Sequence, residues 1–147
     1  MNNNPYANYK QNSVYTMTQG ELLLLLYDEI IKQMEGAKVF IAEKDIQKKN
    51  AALKKAQRIF NHLTITLNHK YAISSNLSSL YDFFNRQLIQ ANIKNDIKFI
   101  DDIMPMVCDL RDAFAQADKN VRSGNAGTTA TPSLGQTPVT QSIGNVG

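Results

Sequence analysis

Apolar residues recur three and four positions apart over about a hundred residues of this chain, and the pattern resolves into four helical stripes. Thr18-Gln19-Gly20-Glu21 fits a capping box, in which the Thr18 hydroxyl and the Glu21 carboxylate satisfy each other's backbone amides at a helix start. The first helix then runs from about Gln19 to Ala42 on a stripe of Leu23, Leu26, Tyr27, Ile30, Met34, Ala37 and Ile41. Asp45 is the expected N-cap of the second helix, whose seam of Ile46, Leu53, Ala56, Phe60, Leu63 and Leu67 is interrupted only by Lys49 and ends near Asn68 to Lys70. Ser74 or Ser75 can cap the third, which points Leu77, Leu80, Tyr81, Phe84, Leu88 and Ala91 inward. Asn95-Asp96 marks the next break, and the fourth stripe is Ile97, Ile100, Met104, Val107, Leu110, Phe114, Ala117 and Val121. Pro105 lies inside this last helix, where it removes an amide and clashes with the preceding turn, at an interior cost of about 3 kcal/mol, and predicts a kink.

Chain breakers agree with this reading. Between Glu21 and Ser123 there are only Gly36 and Pro105, whereas a sheet needs turn residues every 8–12 positions or so. The expected fold is all-α, an antiparallel up-down four-helix bundle over residues 18–122, because short loops make successive helices antiparallel. Residues 1–17 are polar apart from Tyr6, Tyr9, Val14, Tyr15 and Met17, an arm too sparse to fold alone and expected to dock on the bundle. Residues 123–147 carry no charge and are rich in Gly, Thr and Pro, so they are expected to be a disordered tail. The stripes also leave a surplus: Leu22, Leu24, Leu25 and Ile31 on the first helix, Ala52, Ile59 and Ile65 on the second, and Phe83 and Ile89 on the third. Apolar residues beyond what one core uses mark a binding surface, either covered by the arm or offered as a groove for another helix.

The single cysteine, Cys108, excludes an intramolecular disulfide, and the N-terminus lacks the basic and apolar segments of a secretory signal, so the chain is read as cytosolic. Its longest apolar run, Leu22 to Tyr27, is far short of the roughly 20 residues of a membrane span. Charge is lopsided: residues 44–70 hold seven Lys/Arg against Asp45 alone. Lys44, Lys48, Lys55 and Arg58 fall near one helix face, which admits a nucleic-acid-binding bundle as the alternative reading, although no aromatic stacking platform accompanies them. No catalytic constellation emerges. His62 and His69 are two turns apart, about 10 Å along the axis, and have no third ligand for a metal. The acid pairs Asp28-Glu29 and Asp101-Asp102 diverge on their helices, and no histidine accompanies Cys108 to activate it. The chain is read as a non-enzyme without cofactor or metal.

At this point the residues match a family. Tyr9, Val14 and Thr16, the Glu21-Leu22 and Leu26-Tyr27-Asp28 start of the first helix, Lys55-Ala56, Leu80-Tyr81-Asp82, Ala91-Asn92 with Asp96, and Leu110-Arg111 resemble the flagellar export chaperones of the FliS family. The resemblance spans about Tyr6 to Phe114. It implies a cytosolic four-helix-bundle chaperone, without enzyme activity, that binds the C-terminal segment of flagellin, prevents its premature polymerisation and supports delivery to the flagellar type III export apparatus. It also implies that the client, disordered alone, wraps around the bundle as helical pieces and displaces the N-terminal arm from the groove that the arm occupies in the free chain. The chain departs from the family where Gln19-Gly20 replaces a usual Ser-Pro, an expected loosening of the hinge, and where Glu29, Pro105 and Phe114 replace a frequent Gly, Gly and Trp.

The client groove is accordingly expected to have Tyr9 and Val14 as the anchors of the lid, with Leu22, Leu24, Tyr27, Ile31, Ile59, Ile65, Tyr81 and Phe84 as wall residues. Tyr27 and Tyr81 have a competing reading as core residues with hydroxyls at the boundary. On the groove reading, Tyr27→Ala and Ile59→Ala weaken client binding and leave the bundle helical. The free chain is expected to be a monomer or a weak homodimer.

Overall fold

The computed structural model describes residues 16–124, and the elements among them are the helices α1 Gln19–Ala42, α2 Ile46–Ile65, α3 Ala72–Lys94 and α4 Lys98–Arg122. Residues 1–15 and 125–147, with the expected lid anchors Tyr9 and Val14 and nearly all of the uncharged tail, lie outside the described residues. Each helix packs on two others, α1 and α3 both lying between α2 and α4. Along α1, Glu21 pairs with Arg122, Asp28 with Arg111 and Lys38 with Asp101, so α4 runs antiparallel to it.

Local chemistry sets the boundaries. The Thr18 hydroxyl accepts from the Glu21 amide at 3.1 Å and the Glu21 carboxylate accepts from the Thr18 amide at 3.0 Å, the reciprocal box read from the sequence. Asp45 caps α2 by accepting from the Lys48 amide at 3.1 Å. The start of α3 differs from expectation: the helix begins at Ala72 behind Tyr71, and Ser74 is inside its first turn, buried, with its hydroxyl donating to the Asn68 carbonyl at 2.5 Å. α2 ends at Ile65 rather than near Asn68, because Thr64 and Thr66 turn their hydroxyls onto the carbonyls of Phe60 and Leu63; Leu67 stays buried although it has left the helix. Asn95 closes α3 in the left-handed conformation at φ 52°, which asparagine tolerates better than most residues. α4 continues through Pro105, which is exposed.

The core contains Leu23, Tyr27, Ile30, Met34 and Ala37 of α1, with Leu53, Ala56, Phe60 and Leu63 of α2 facing them. From α3 come Leu77, Tyr81, Phe84, Leu88 and Ala91, and from α4 Ile100, Ile103, Val107 and Phe114. Several positions differ from expectation. Ile46 and Val121 are exposed at helix ends, and Ala52, placed off the seam, is buried. On α4 the buried stripe passes through Ile103 and Asp118 instead of Met104 and Val121. Lys49 is also buried: its ammonium donates to the Asn92 carbonyl at 2.9 Å and to the Asn95 side chain, so it closes the C-terminal turn of α3 from the neighbouring helix.

Candidate functional site

The surplus leucines of α1 divide between its two flanks. Leu22 lies one heptad before Glu29, whose carboxylate pairs with Lys55 of α2 at 3.0 Å, so Leu22 faces the α1–α2 seam together with half-buried Ile59. Leu24 and Ile31 lie two and one heptads before Lys38, whose ammonium meets Asp101 of α4 at 2.7 Å, so both face the α1–α4 seam. Leu25 stands on the ridge between the flanks and is 38% exposed. Beside it a cleft of about 410 Å³ opens, lined by Thr16, Met17, Glu21, Leu24, Leu25 and Asp28. Half of the cleft lining is thus apolar, on an open surface at the end of α1 where the N-terminal segment joins the bundle.

The electrostatic frame of the two seams is built from paired groups. Arg111 donates to both Asp28 oxygens, at 2.8 and 3.3 Å, and this hydrogen bonding raises the guanidinium above its ordinary range. For Glu29, burial alone pushes the carboxyl up, but hydrogen bonds from Gln33 and Lys55 and the charges of Lys55 and Lys32 outweigh it and hold the group below the usual carboxylate value. At the end of the α1–α4 seam, Arg122 bonds Asp118 at 2.7 Å and Glu21 at 3.3 Å. Asp118 is buried against Gly20: a Cβ at position 20 would meet the Asp118 Oδ1 at 2.1 Å. Gly20 is therefore a close-approach glycine clamped between helices, and the expected loose hinge gives way to a tight contact.

Tyr27, Tyr81 and Phe84 are fully interior and do not line an exposed groove in this conformation, which corrects their reading as wall residues. Tyr27 packs on Phe114 with ring centroids 5.4 Å apart, Tyr81 on Phe60 at 5.8 Å, and one tyrosine hydroxyl donates to the other at 2.7 Å. Burial, foremost, pushes both phenols up. Each hydroxyl finds its partner across the core, so neither tyrosine needs the boundary, and Tyr27→Ala becomes a core deletion rather than a groove probe. Ile65 is 80% exposed and points away from the α1 seams, so the wall candidates do not form one trough. Further apolar residues lie at the margin of the core: Leu80 and Phe83 of α3 and Phe99 and Leu110 of α4 are half-buried against it, and Met106 is exposed.

The basic stripe is partly consumed by the fold. Lys55 is tied to Glu29, Lys48 lies 3.9 Å from Asp45 and over the Phe40 ring, and Lys49 is interior. Among the described residues no group of His, Cys, Asp and Glu can hold a metal ion, and no helix is long and apolar enough to cross a membrane. Burial raises the Cys108 thiol, followed by the charges of Asp112, Glu35 and Asp109, so it is held in its unreactive form.

The family model described as "Flagellar protein FliS" matches residues 1–121. The chain belongs to the FliS family. A FliS-family protein of Bacillus subtilis (strain 168), named flagellar secretion chaperone, is 42% identical over 125 residues, covering 85% of this chain and 94% of its own length. Its namesake in Salmonella typhimurium (strain LT2) is 30% identical over 109 residues, covering 72% and 81%. A solved structure described as a flagellar chaperone from bacteria superposes with a TM-score of 0.66 at 25% identity, over 78% of this chain and 95% of its own. FliS proteins are flagellar secretion chaperones and not enzymes, and this chain is one of them by sequence and fold alike.

Proposed function

We propose that this FliS-family chain binds the C-terminal segment of flagellin in the cytosol, prevents its premature polymerisation and supports its delivery to the flagellar type III export apparatus. The observation that carries the reading is the leucine-rich surface of α1 in a chain of this family: Leu24 and Ile31 along the α4 flank, Leu25 on the ridge beside the cleft, and Leu22 with Ile59 along the α2 flank. The client's principal groove is the α1–α4 flank, because the cleft opens there and the N-terminal segment enters beside it through Thr16 and Met17. Tyr9 and Val14 act as the anchors of a lid that leaves when the client arrives, and Ile65 serves at most the margin of the surface. A helix laid on such leucines gains by burying apolar area, at about 25 cal/mol per Å².

Titration calorimetry of the full chain with a peptide from the C-terminal region of the same cell's flagellin tests this at 50 and 200 mM salt. The expected result is one-to-one binding, nearly insensitive to salt, with a large negative heat-capacity change, since coupled folding buries apolar surface. Ile59→Ala weakens the binding with helical dichroism retained. Absence of binding, both by the full chain and after deletion of residues 1–17, overturns the reading; loss of affinity with salt by roughly 10³ or more points instead to phosphate contacts.

A further inference from the structure

The chain repeats itself. Leu23-x-x-Leu26-Tyr27-Asp28 on α1 recurs as Leu77-x-x-Leu80-Tyr81-Asp82 on α3, and Tyr27 and Tyr81 are 54 residues apart. The same shift carries the buried positions Gly20, Leu23, Tyr27, Ile30, Met34 and Ala37 onto the whole buried set of α3, from Ser74 to Ala91. It carries Lys49, Leu53 and Phe60 of α2 onto Ile103, Val107 and Phe114 of α4, all buried. Tertiary contacts repeat too, since the Tyr27–Phe114 and Tyr81–Phe60 ring pairs exchange under the shift and the two hydroxyls meet each other. An exchange that works in both directions is an approximate two-fold, with the α1–α2 and α3–α4 hairpins as its halves and the tyrosine pair on its axis.

This two-fold maps the α1–α4 groove onto the groove between α3 and α2. Leu24, Leu25 and Asp28, which line the cleft on α1, become Ser78, Ser79 and Asp82, which line a cleft of about 380 Å³ together with Asn61, Thr64 and Asn85. Ile31 becomes Asn85, and Ala115 of α4 becomes Asn61 of α2. The place in the fold is the same and the chemistry is inverted. Asn85 donates from Nδ2 to Asn61 Oδ1 at 2.8 Å, while its own Oδ1 is buried without a partner. An apolar helix laid in this groove would take water from the serines and asparagines and return no hydrogen bond, which is unfavourable for every group so covered.

We propose that Ser78, Ser79, Asn85 and Asn61 are specificity-determining residues: they close the second groove to the apolar client segment and thereby hold the chain to a single client. The inference rests on the reading that flagellin occupies the α1–α4 groove. Its test gives the second groove the chemistry of the first, in a full-length S78L/S79L/N85I/N61A variant titrated with the flagellin peptide and weighed by native mass spectrometry. The unmodified chain takes one peptide and the variant takes two. A variant that keeps its helical dichroism and still takes one overturns the inference. Should the four changes unfold the chain, the milder S78L/N85I pair, on half-buried surface positions, gives a second and weaker binding event, and its absence overturns the inference equally. An unmodified chain that already takes two peptides overturns this inference alone, whereas one that takes none overturns the client reading beneath it.

Discussion

Two hydroxyls share a single hydrogen bond in the middle of an apolar core, and their energetics are those of a pair rather than of two tyrosines. Replacing Tyr27 by Phe leaves the Tyr81 hydroxyl buried without its partner, which costs about 1–3 kcal/mol, whereas replacing both leaves two apolar rings of the same shape and is close to neutral. Chemical denaturation of Y27F, Y81F and Y27F/Y81F is expected to show the double variant more stable than the sum of the singles predicts; additive costs would mean that the hydroxyls are satisfied elsewhere. Tyr27→Ala is a different experiment, a core deletion of about 3–5 kcal/mol. The tyrosines also show what a single residue hides in sequence. Leu23, Tyr27 and Ile30 announce an inward stripe by their spacing, but whether a tyrosine hydroxyl reaches the boundary or another hydroxyl depends on a residue 54 positions away. Lys49 was legible as an anomaly of the seam and not as a cap for α3, because its acceptors belong to another helix.

At the scale of elements, starts and stops governed by adjacent residues could be read, and those governed by distant ones could not. The Thr18–Glu21 box and the Asp45 cap are local and were legible. The start of α3 was not, since Ser74 bonds back to Asn68 instead of capping. The division of the α1 leucines between two flanks was likewise hidden, because it follows from the ion pairs to Lys55 and Asp101 on other helices. The junction of α1 with α4 turns on Gly20 and Asp118, and Gly20→Ala forces a methyl group into the Asp118 carboxylate, a clash expected to cost about 1–3 kcal/mol. In the Gly20→Ala/Asp118→Ala double variant part of that cost disappears, which thermal denaturation of the two singles and the double checks; additive losses would remove the contact from the explanation.

For the whole molecule, paired carboxylates outside the core link stability to pH. The Glu21 and Glu29 carboxyls lie below the ordinary glutamate value of 4.5 in the folded chain, so their contribution is complete above that pH and is lost as pH falls through the folded values. Lys38 lies above 10.5, through its hydrogen bond to Asp101, so its contribution is complete below that pH and is lost only as pH rises through the folded value. Melting temperature is therefore expected to hold a plateau from roughly pH 5 to 10 and to fall on the acid side, with Glu29→Gln flattening part of the acid limb.

The seam between the first and last helices has one more consequence, in time rather than in energy. Asp28 and Arg111 are 83 residues apart, while the Asn61–Asn85 bond of the opposite groove spans only 24. On a ribosome adding 5–20 residues per second, the leucines of α1 wait on the order of 4 to 17 s before the stretch of α4 that flanks them has been made. The polar groove between neighbouring helices closes early and meets water harmlessly, whereas the surface assigned to the client is also the one the nascent chain must carry uncovered until its last helix is synthesised.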